Sequence, residues 1–296
     1  MTDHGTVSRR GLFRAGGIGL AAIAFGPALA ACSRTEDTVT LDSLRKQGYI
    51  QVAINNEAPF GYIDENGEVT GSSPELLRAI FAELGVPEVR AESVAWDGLI
   101  PGLKAKRFDA VAAGMYITPE RCAEVAFAEP TYRVLQAFLV PAGNPYGLTT
   151  FDDIAANPDV TVAVLNASVE QGYAKGAGVP EAQIETVDNQ TSAYELLSNG
   201  RVDAVALSTL SLNRLLNQRG GDFEVTEGFI PVVDGEEVTP AGGLVFRQSD
   251  TELLAEVNRV LADFKASGRL LEILEPFGFT EQELPGDLTT EQLCQA

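Results

Sequence analysis

A two-lobed α/β fold, with two hinge strands joining the lobes, is the architecture this sequence predicts, and three observations carry the prediction. Lys106 to Ala113 (KRFDAVAA) returns as Gly200 to Leu207 (GRVDAVAL). Each copy reads as the end of an amphipathic helix, a turn holding Asp109 or Asp203, and a short apolar strand of the kind buried in a parallel sheet. Around both copies, short apolar runs alternate with helix-period segments, which is the rhythm of βα units. Two further apolar strands, Leu135 to Val140 and Gly242 to Phe246, stand where the chain would pass between lobes and back.

The elements follow in order. Residues 1–31 read as an export signal: Ser8, Arg9, Arg10 and Arg14 form a positive start, and Ala15 to Ser33 runs without a charge. S-R-R-G-L-F-R has the form of a twin-arginine signal, and L-A-A-C has the form of a lipobox that would leave Cys32 as an acylated N-terminus. Gly16, Gly17, Gly19, Gly26 and Pro27 make the segment a poor membrane span. Gly17, Gly19 and Ala22 imitate a dinucleotide fingerprint, but no strand precedes them. Residues 32–40 form a polar linker. The first lobe takes residues 41–140 and 242–296, the second residues 145–238, with hinges near 139–144 and 239–243.

In the first lobe, Tyr49 to Ile54 reads as a buried strand. Ser73 and Pro74 start a helix that stops at Gly85, because proline suits the first helical turn and glycine the residue past the last. Val89 to Val94 is a strand, Leu99 to Ala105 a helix, and Asp109 to Ala113 the repeated strand. Thr118-Pro119-Glu120-Arg121 has the cap-then-proline pattern of a helix start. Pro141, Gly143 and Pro145 end the next strand and place the first crossing there. The second lobe repeats the rhythm, with helices at Phe151–Ala156, Ser168–Ala174, Thr191–Ser198 and Leu210–Leu216, and strands at Thr161–Leu165, Ile184–Val187 and Asp203–Leu207. After the return strand, Thr251 to Ala266 is a long helix.

Composition excludes much chemistry. Forty-two acidic residues against 21 basic ones give a net charge of −21, a field that repels nucleic acid and anionic lipid headgroups. The only histidine, His4, lies in the export segment. A Ser-His-Asp or Cys-His nucleophile system and a histidine zinc site therefore cannot be assembled, and no cofactor or metal is implied. Beyond Cys32, the cysteines are Cys122 and Cys294, which can pair in an oxidising compartment or stand as separate thiols.

At Ala112 to Arg121 (AAGMYITPER), followed by Phe127 to Tyr132 (FAEPTY), the chain resembles the family 3 extracellular solute-binding proteins, the receptors of amino-acid-type ABC importers, over residues 40 to 285. The resemblance implies a periplasmic-binding-protein-like fold of type II, an extracytoplasmic location, and an ABC permease with its ATPase subunits as partners, while the lipobox would hold the protein at the membrane through a lipid on Cys32. It also implies that Thr118 and Arg121 grip a ligand carboxylate, which suits an arginine fork. Asn56 to Tyr62 (NEAPFGY), together with GMYITPERC, resembles the ectoine and hydroxyectoine binders. Ectoine is a cyclic amidine bearing a carboxylate, so its pocket pairs an acid with a delocalised cation, surrounds the ring with aromatic faces and clamps the far end with arginine. The matching positions are Glu57, Phe60, Trp96, Tyr116 and Arg121, with Ser168 and the Val169 backbone as donors from the second lobe.

Two departures bear on the ligand. Ordinary amino-acid binders commonly carry an acid for the α-ammonium group just after the second repeated strand, where this chain has Ser208. Where the second-lobe motif often reads G-T-T, it has Ala167, Ser168 and Val169, which alters the approach at that helix start. The expectation is therefore a binding protein, not an enzyme, that closes on a small zwitterion of the ectoine class. A receptor for polar amino acids, an enzyme on the same fold like the cyclohexadienyl dehydratases, and a sensory ligand-binding module are the alternatives.

Overall fold

The computed structural model describes residues 38–233 and 235–295. The export segment, Cys32 and its lipidation lie outside the described residues.

The chain opens with helix α1 (Leu41–Gln47), held by a reciprocal cap between Thr40 and Ser43 and ended by Gly48 in the left-handed region. Strand β1 (Tyr49–Ile54) leads through a small hairpin, β2 (Tyr62–Ile63) and β3 (Val69–Thr70), into α2 (Ser72–Glu83), then β4 (Glu88–Ser93), α3 (Leu99–Lys104) and β5 (Ala110–Tyr116). β4, β1 and β5 lie side by side and parallel. α4 (Pro119–Cys122) and the short strands β6 (Ala126–Phe127) and β7 (Tyr132–Arg133) follow.

The second lobe begins with β8 (Gln136–Pro141) and α5 (Phe151–Ala156). It continues through β9 (Val162–Leu165), α6 (Val169–Gly176), β10 (Ile184–Val187), α7 (Gln190–Ser198), β11 (Ala204–Ser208), α8 (Thr209–Arg219) and β12 (Phe223–Val225). Its sheet runs β10-β9-β11-β8-β12, with the first three parallel and β8 antiparallel to β11. After the hairpin β13 (Val232–Val233) and β14 (Glu236–Glu237), strand β15 (Ala241–Phe246) enters the first sheet antiparallel to β5. α9 (Thr251–Ser267), α10 (Arg269–Leu274) and α11 (Thr290–Gln295) complete the chain.

Each sheet is thus three parallel strands followed by one antiparallel strand that has just arrived from the other lobe. The sequence repeat occupies the same place in both, as β5 and β11. Its aspartates do the same work: Asp109 accepts from the Gln51 amide at 3.1 Å and returns its own N–H to Gln51 O. Asp203 accepts from the amide and hydroxyl of Thr161, both at 2.8 Å, and returns its N–H to Thr161 O. A carboxylate that ties down a neighbouring strand's free backbone donor, buried at Asp109 and partly buried at Asp203, explains why the turn carries aspartate in both copies.

One expectation is corrected. The strand at Leu135 to Val140 belongs to the second lobe, because β8 pairs with β11 and β12. The first crossing lies at Val134–Leu135, not at 139–144, and residues 136–140 leave the first lobe. Pro141 and Gly143 mark only a turn within the second lobe. The first change of sheet, at Val134–Leu135, carries neither proline nor glycine; it is supported by the returning segment of the same chain, since β7 pairs with β15 and Val134 N–H donates to Pro240 O at 3.0 Å.

Candidate functional site

The cleft between the two sheets is lined from the first lobe by Glu57, Phe60, Trp96, Gly114 and Tyr116, and from the second by Leu165, Ser168, Val169, Glu170, Leu207 and Ser208. These residues stand at the ends of strands or the starts of helices, where side chains project beyond the sheets.

The loop after β1 is pinned by a reciprocal pair of 2.9 Å backbone bonds between Glu57 and Gly61, enclosing a cis Ala58–Pro59 peptide. That closure turns Glu57 and Phe60 toward the cleft. Glu57 is 8% exposed. Its Oε1 accepts from the Ser211 hydroxyl at 2.7 Å and its Oε2 from Asn55 Nδ2 at 3.0 Å. Burial raises its pKa, while these two hydrogen bonds pull the other way. No cation lies within ion-pair range of it among the described residues.

Behind Glu57, an aromatic wall runs from Phe60 through Tyr132 to Tyr116, with ring centres 4.9 and 5.8 Å apart. The wall needs Gly114. This residue lies at φ +65 in a bulge where three residues of β5 oppose the single Leu244, and a Cβ there would run into the Phe60 ring. Tyr132 then donates its hydroxyl to Gly114 O at 2.6 Å, which fixes the wall to the bulge.

Trp96 sits on a short 3-10 turn (Trp96–Gly98), and its Nε1 donates across the cleft to Ala167 O at 3.2 Å. Arg121 lies over the Trp96 ring at 5.4 Å. Its guanidinium donates to Tyr116 O at 2.9 Å and to Ala167 O at 3.4 Å. It is 9% exposed, and burial lowers its pKa. Both acceptors are neutral carbonyls, so the positive charge meets no carboxylate within ion-pair range among the described residues. Thr118 caps α4 by accepting from Arg121 N–H at 3.3 Å. Thr118 and Arg121 line a wider groove that continues from the cleft and shares Ser168 and Val169 with it.

From the second lobe, Ser168 caps α6, accepting from Gln171 N–H at 3.3 Å. Ala167 before it lies at φ +59, a strained geometry for a residue with a Cβ. The turn aims its carbonyl at Trp96 and Arg121. Ser208 caps α8 and donates to Ser211 Oγ at 3.0 Å, so a hydroxyl chain runs from Ser208 through Ser211 to Glu57 in the other lobe.

Ser208 stands where an acid is common in amino-acid binders, and the second lobe brings an acid to the cleft from another position. Glu170, 4% exposed, faces the cleft from the first turn of α6. Gln136, with its amide turned to satisfy both ends, donates to Glu170 Oε1 at 2.9 Å and to Leu207 O at 3.3 Å while accepting from the Tyr116 hydroxyl at 3.1 Å. Burial pushes the Glu170 pKa up to about 7. Its own N–H, the Ser168 hydroxyl and the charge of Arg121 oppose the rise, and Glu57 adds to it. In the sequence Glu170 reads as an ordinary acid in a helix's first turn, and only its solvent exclusion distinguishes it. Ser211, Gln136, Tyr132 and Asn55 escape a sequence reading for the same reason.

Cys122 and Cys294, 5.7 Å apart at Cα, form a disulfide that fastens α11 to α4, next to Arg121.

Residues 50–280 match the bacterial extracellular solute-binding proteins, family 3. A probable amino-acid ABC transporter periplasmic-binding protein of Sinorhizobium fredii is 31% identical over 283 residues, 93% of this chain and 92% of that one. The ABC transporter arginine-binding protein 1 of Escherichia coli is 31% identical over 215 residues, 73% of this chain and 84% of that one. Among solved structures, EhuB in complex with hydroxyectoine superposes with a TM-score of 0.79 at 36% identity, covering 86% of this chain and 97% of that one.

Proposed function

The chain belongs to the family 3 bacterial extracellular solute-binding proteins, and from that premise we propose that this periplasmic receptor of an amino-acid-type ABC importer captures a compact zwitterion with a delocalised cation, of the ectoine and hydroxyectoine class. One observation carries the reading. A buried carboxylate, Glu57, and a buried guanidinium, Arg121, stand at an aromatic-lined cleft, each held by neutral hydrogen-bond partners and neither by an opposite charge. Buried charges are costly unless paired, so the cleft suits a solute that brings one charge of each sign.

Phe60, Tyr116 and Trp96 offer faces to a flat, charge-spread ring, and the likeness to the hydroxyectoine complex of EhuB supports the assignment. Solute that touches both lobes favours the closed arrangement, with the paired crossings at 134–135 and 239–240 as the hinge. Export by the twin-arginine leader and anchoring through acylated Cys32 belong to the same proposal, as does delivery to a permease with its ATPase subunits.

A cationic amino acid is the second reading. Glu170 favours it by adding a second acid, and the arginine-binding relative points the same way. Calorimetric titration with ectoine, hydroxyectoine, glycine betaine, proline and the common L-amino acids decides between them. The ectoine reading expects ectoine or hydroxyectoine to bind more tightly than any amino acid, and tighter binding of an α-amino acid rejects it.

A further inference from the structure

We propose that Glu170 is the charge-selecting residue of the cleft. Ionised, it joins Glu57 to suit a solute carrying two positive groups beside its carboxylate. Protonated, it leaves a site for a solute carrying one. The inference rests on the cleft being the solute site, as proposed above, and not on which solute fills it.

The geometry carries the argument. Glu57 and Glu170 approach the same small cleft from opposite lobes, both almost fully buried, with Arg121 beside them. With both acids ionised, two negative charges face one positive charge in a low-dielectric space. A zwitterion adds one charge of each sign and leaves the surplus in place, whereas a solute of net charge +1 cancels it. Glu170 also interacts with Arg121, so an ionised Glu170 competes with the solute carboxylate for that guanidinium.

The groups electrostatically coupled to Glu170 are Glu57, Arg121, Tyr116, Tyr132 and Tyr173. The three tyrosines are held above their ordinary range by burial, and a guanidinium keeps its proton. Burial raises both carboxyls, that of Glu170 to about 7. Glu170 is the one whose charge can be changed without removing the acid that faces the aromatic wall. Its surroundings accept either form: Gln136 and Ser168 stabilise the carboxylate, and the Gln136 amide reoriented accepts from the acid.

The test is calorimetry of wild type and Glu170→Gln at pH 5.5 and 8.5, with ectoine and L-arginine titrated separately, and urea unfolding to establish that the variant folds. In wild type, the ratio of arginine affinity to ectoine affinity should rise about tenfold or more between the two pH values, the factor that one pKa unit of differential interaction represents. In Glu170→Gln the ratio should stay within about twofold. Repeating the wild-type titrations at pH 7 in buffers of different ionisation enthalpy adds a measurement independent of the variant: ectoine should bind with proton uptake and arginine with proton release. An equal pH response in both proteins, or none in wild type, overturns the inference. Arginine bound with the expected pH response, and ectoine not bound, rejects the ectoine reading and keeps the role of Glu170. A cleft that takes neither solute rejects both.

Discussion

Arg121 and Glu170 show how much a single buried charge depends on its neighbours. Arg121 donates to two carbonyls through separate arms of one planar fork, which still leaves donors for a carboxylate. Replacing it with lysine substitutes a point charge for that fork. Arg121→Lys should weaken solute binding by one to two orders of magnitude, since a charge-assisted hydrogen bond contributes about 1.5–3 kcal/mol. Unchanged affinity by calorimetry would remove Arg121 from the site. For Glu170 the prediction concerns stability. Its folded pKa of about 7 lies above the ordinary value of 4.5, so the folded state binds more protons than the unfolded state between those values. Its contribution to stability is therefore greatest at low pH and is lost as pH rises through about 7. Between pH 5 and 8, urea-derived stability should fall by up to about 3 kcal/mol more in wild type than in Glu170→Gln. Parallel curves for the two proteins would show that Glu170 does not titrate there.

At the scale of elements, β5 is the strand that positions the site. Its bulge at Gly114 lets Phe60 lie against the backbone, and Tyr116 at its end joins the aromatic wall. Gly114→Ala adds a Cβ at a positive φ, a conformation that costs L-residues about 1–2 kcal/mol, and pushes against the Phe60 ring. We expect destabilisation of at least about 1 kcal/mol in urea and solute affinity reduced more than tenfold. A variant with native affinity would show that Phe60 can move aside without cost to the site. The helix starts at Ser168 and Ser208 matter for a related reason. Each cap oxygen is engaged with its own helix, so these serines place the neighbouring Glu170 and Ser211 more than they offer themselves.

At the scale of the molecule, the Cys122–Cys294 bridge closes a loop of 172 residues and fastens the C-terminal helix beside the segment carrying Arg121. In the chain-entropy account a long closed loop contributes stability of about 2–5 kcal/mol. The double variant Cys122→Ser/Cys294→Ser should therefore unfold at clearly lower urea concentration than the oxidised protein. Coincident midpoints would mean the bridge adds nothing beyond the packing of α11. The lobes themselves are joined by the paired crossings and by cross-cleft bonds from Trp96, Arg121, Ser211 and Asn166, the last reaching Asp97 at 3.0 Å. Trp96 and Glu57, the acceptor of the Ser211 bond, line the cleft and Arg121 its adjoining groove, so solute and closure share these groups.

The two-lobed architecture is legible in the sequence because repeated local patterns have local causes. The aspartate turn before β5 and β11, the Pro-led helix starts and the apolar strand runs all follow from backbone donors and side-chain periodicity within a few residues. Glu57, Phe60, Tyr116 and Arg121 are marked by motif and Trp96 by its position in the family resemblance, and the structure gathers them around the cleft and its adjoining groove. What sequence spacing cannot convey is solvent exclusion and pairing between distant segments. Glu170 resembles any acid in a first helical turn until α6 is packed against Gln136 and Tyr116 from β8 and β5, and Pro141 resembles a hinge until β8 is seen paired with β11 and β12. Burial raises the pKa of Glu170, and hydrogen bonding between strands far apart in the chain sets where the lobes divide. Both are properties of tertiary contact, which is why only the folded structure decides them.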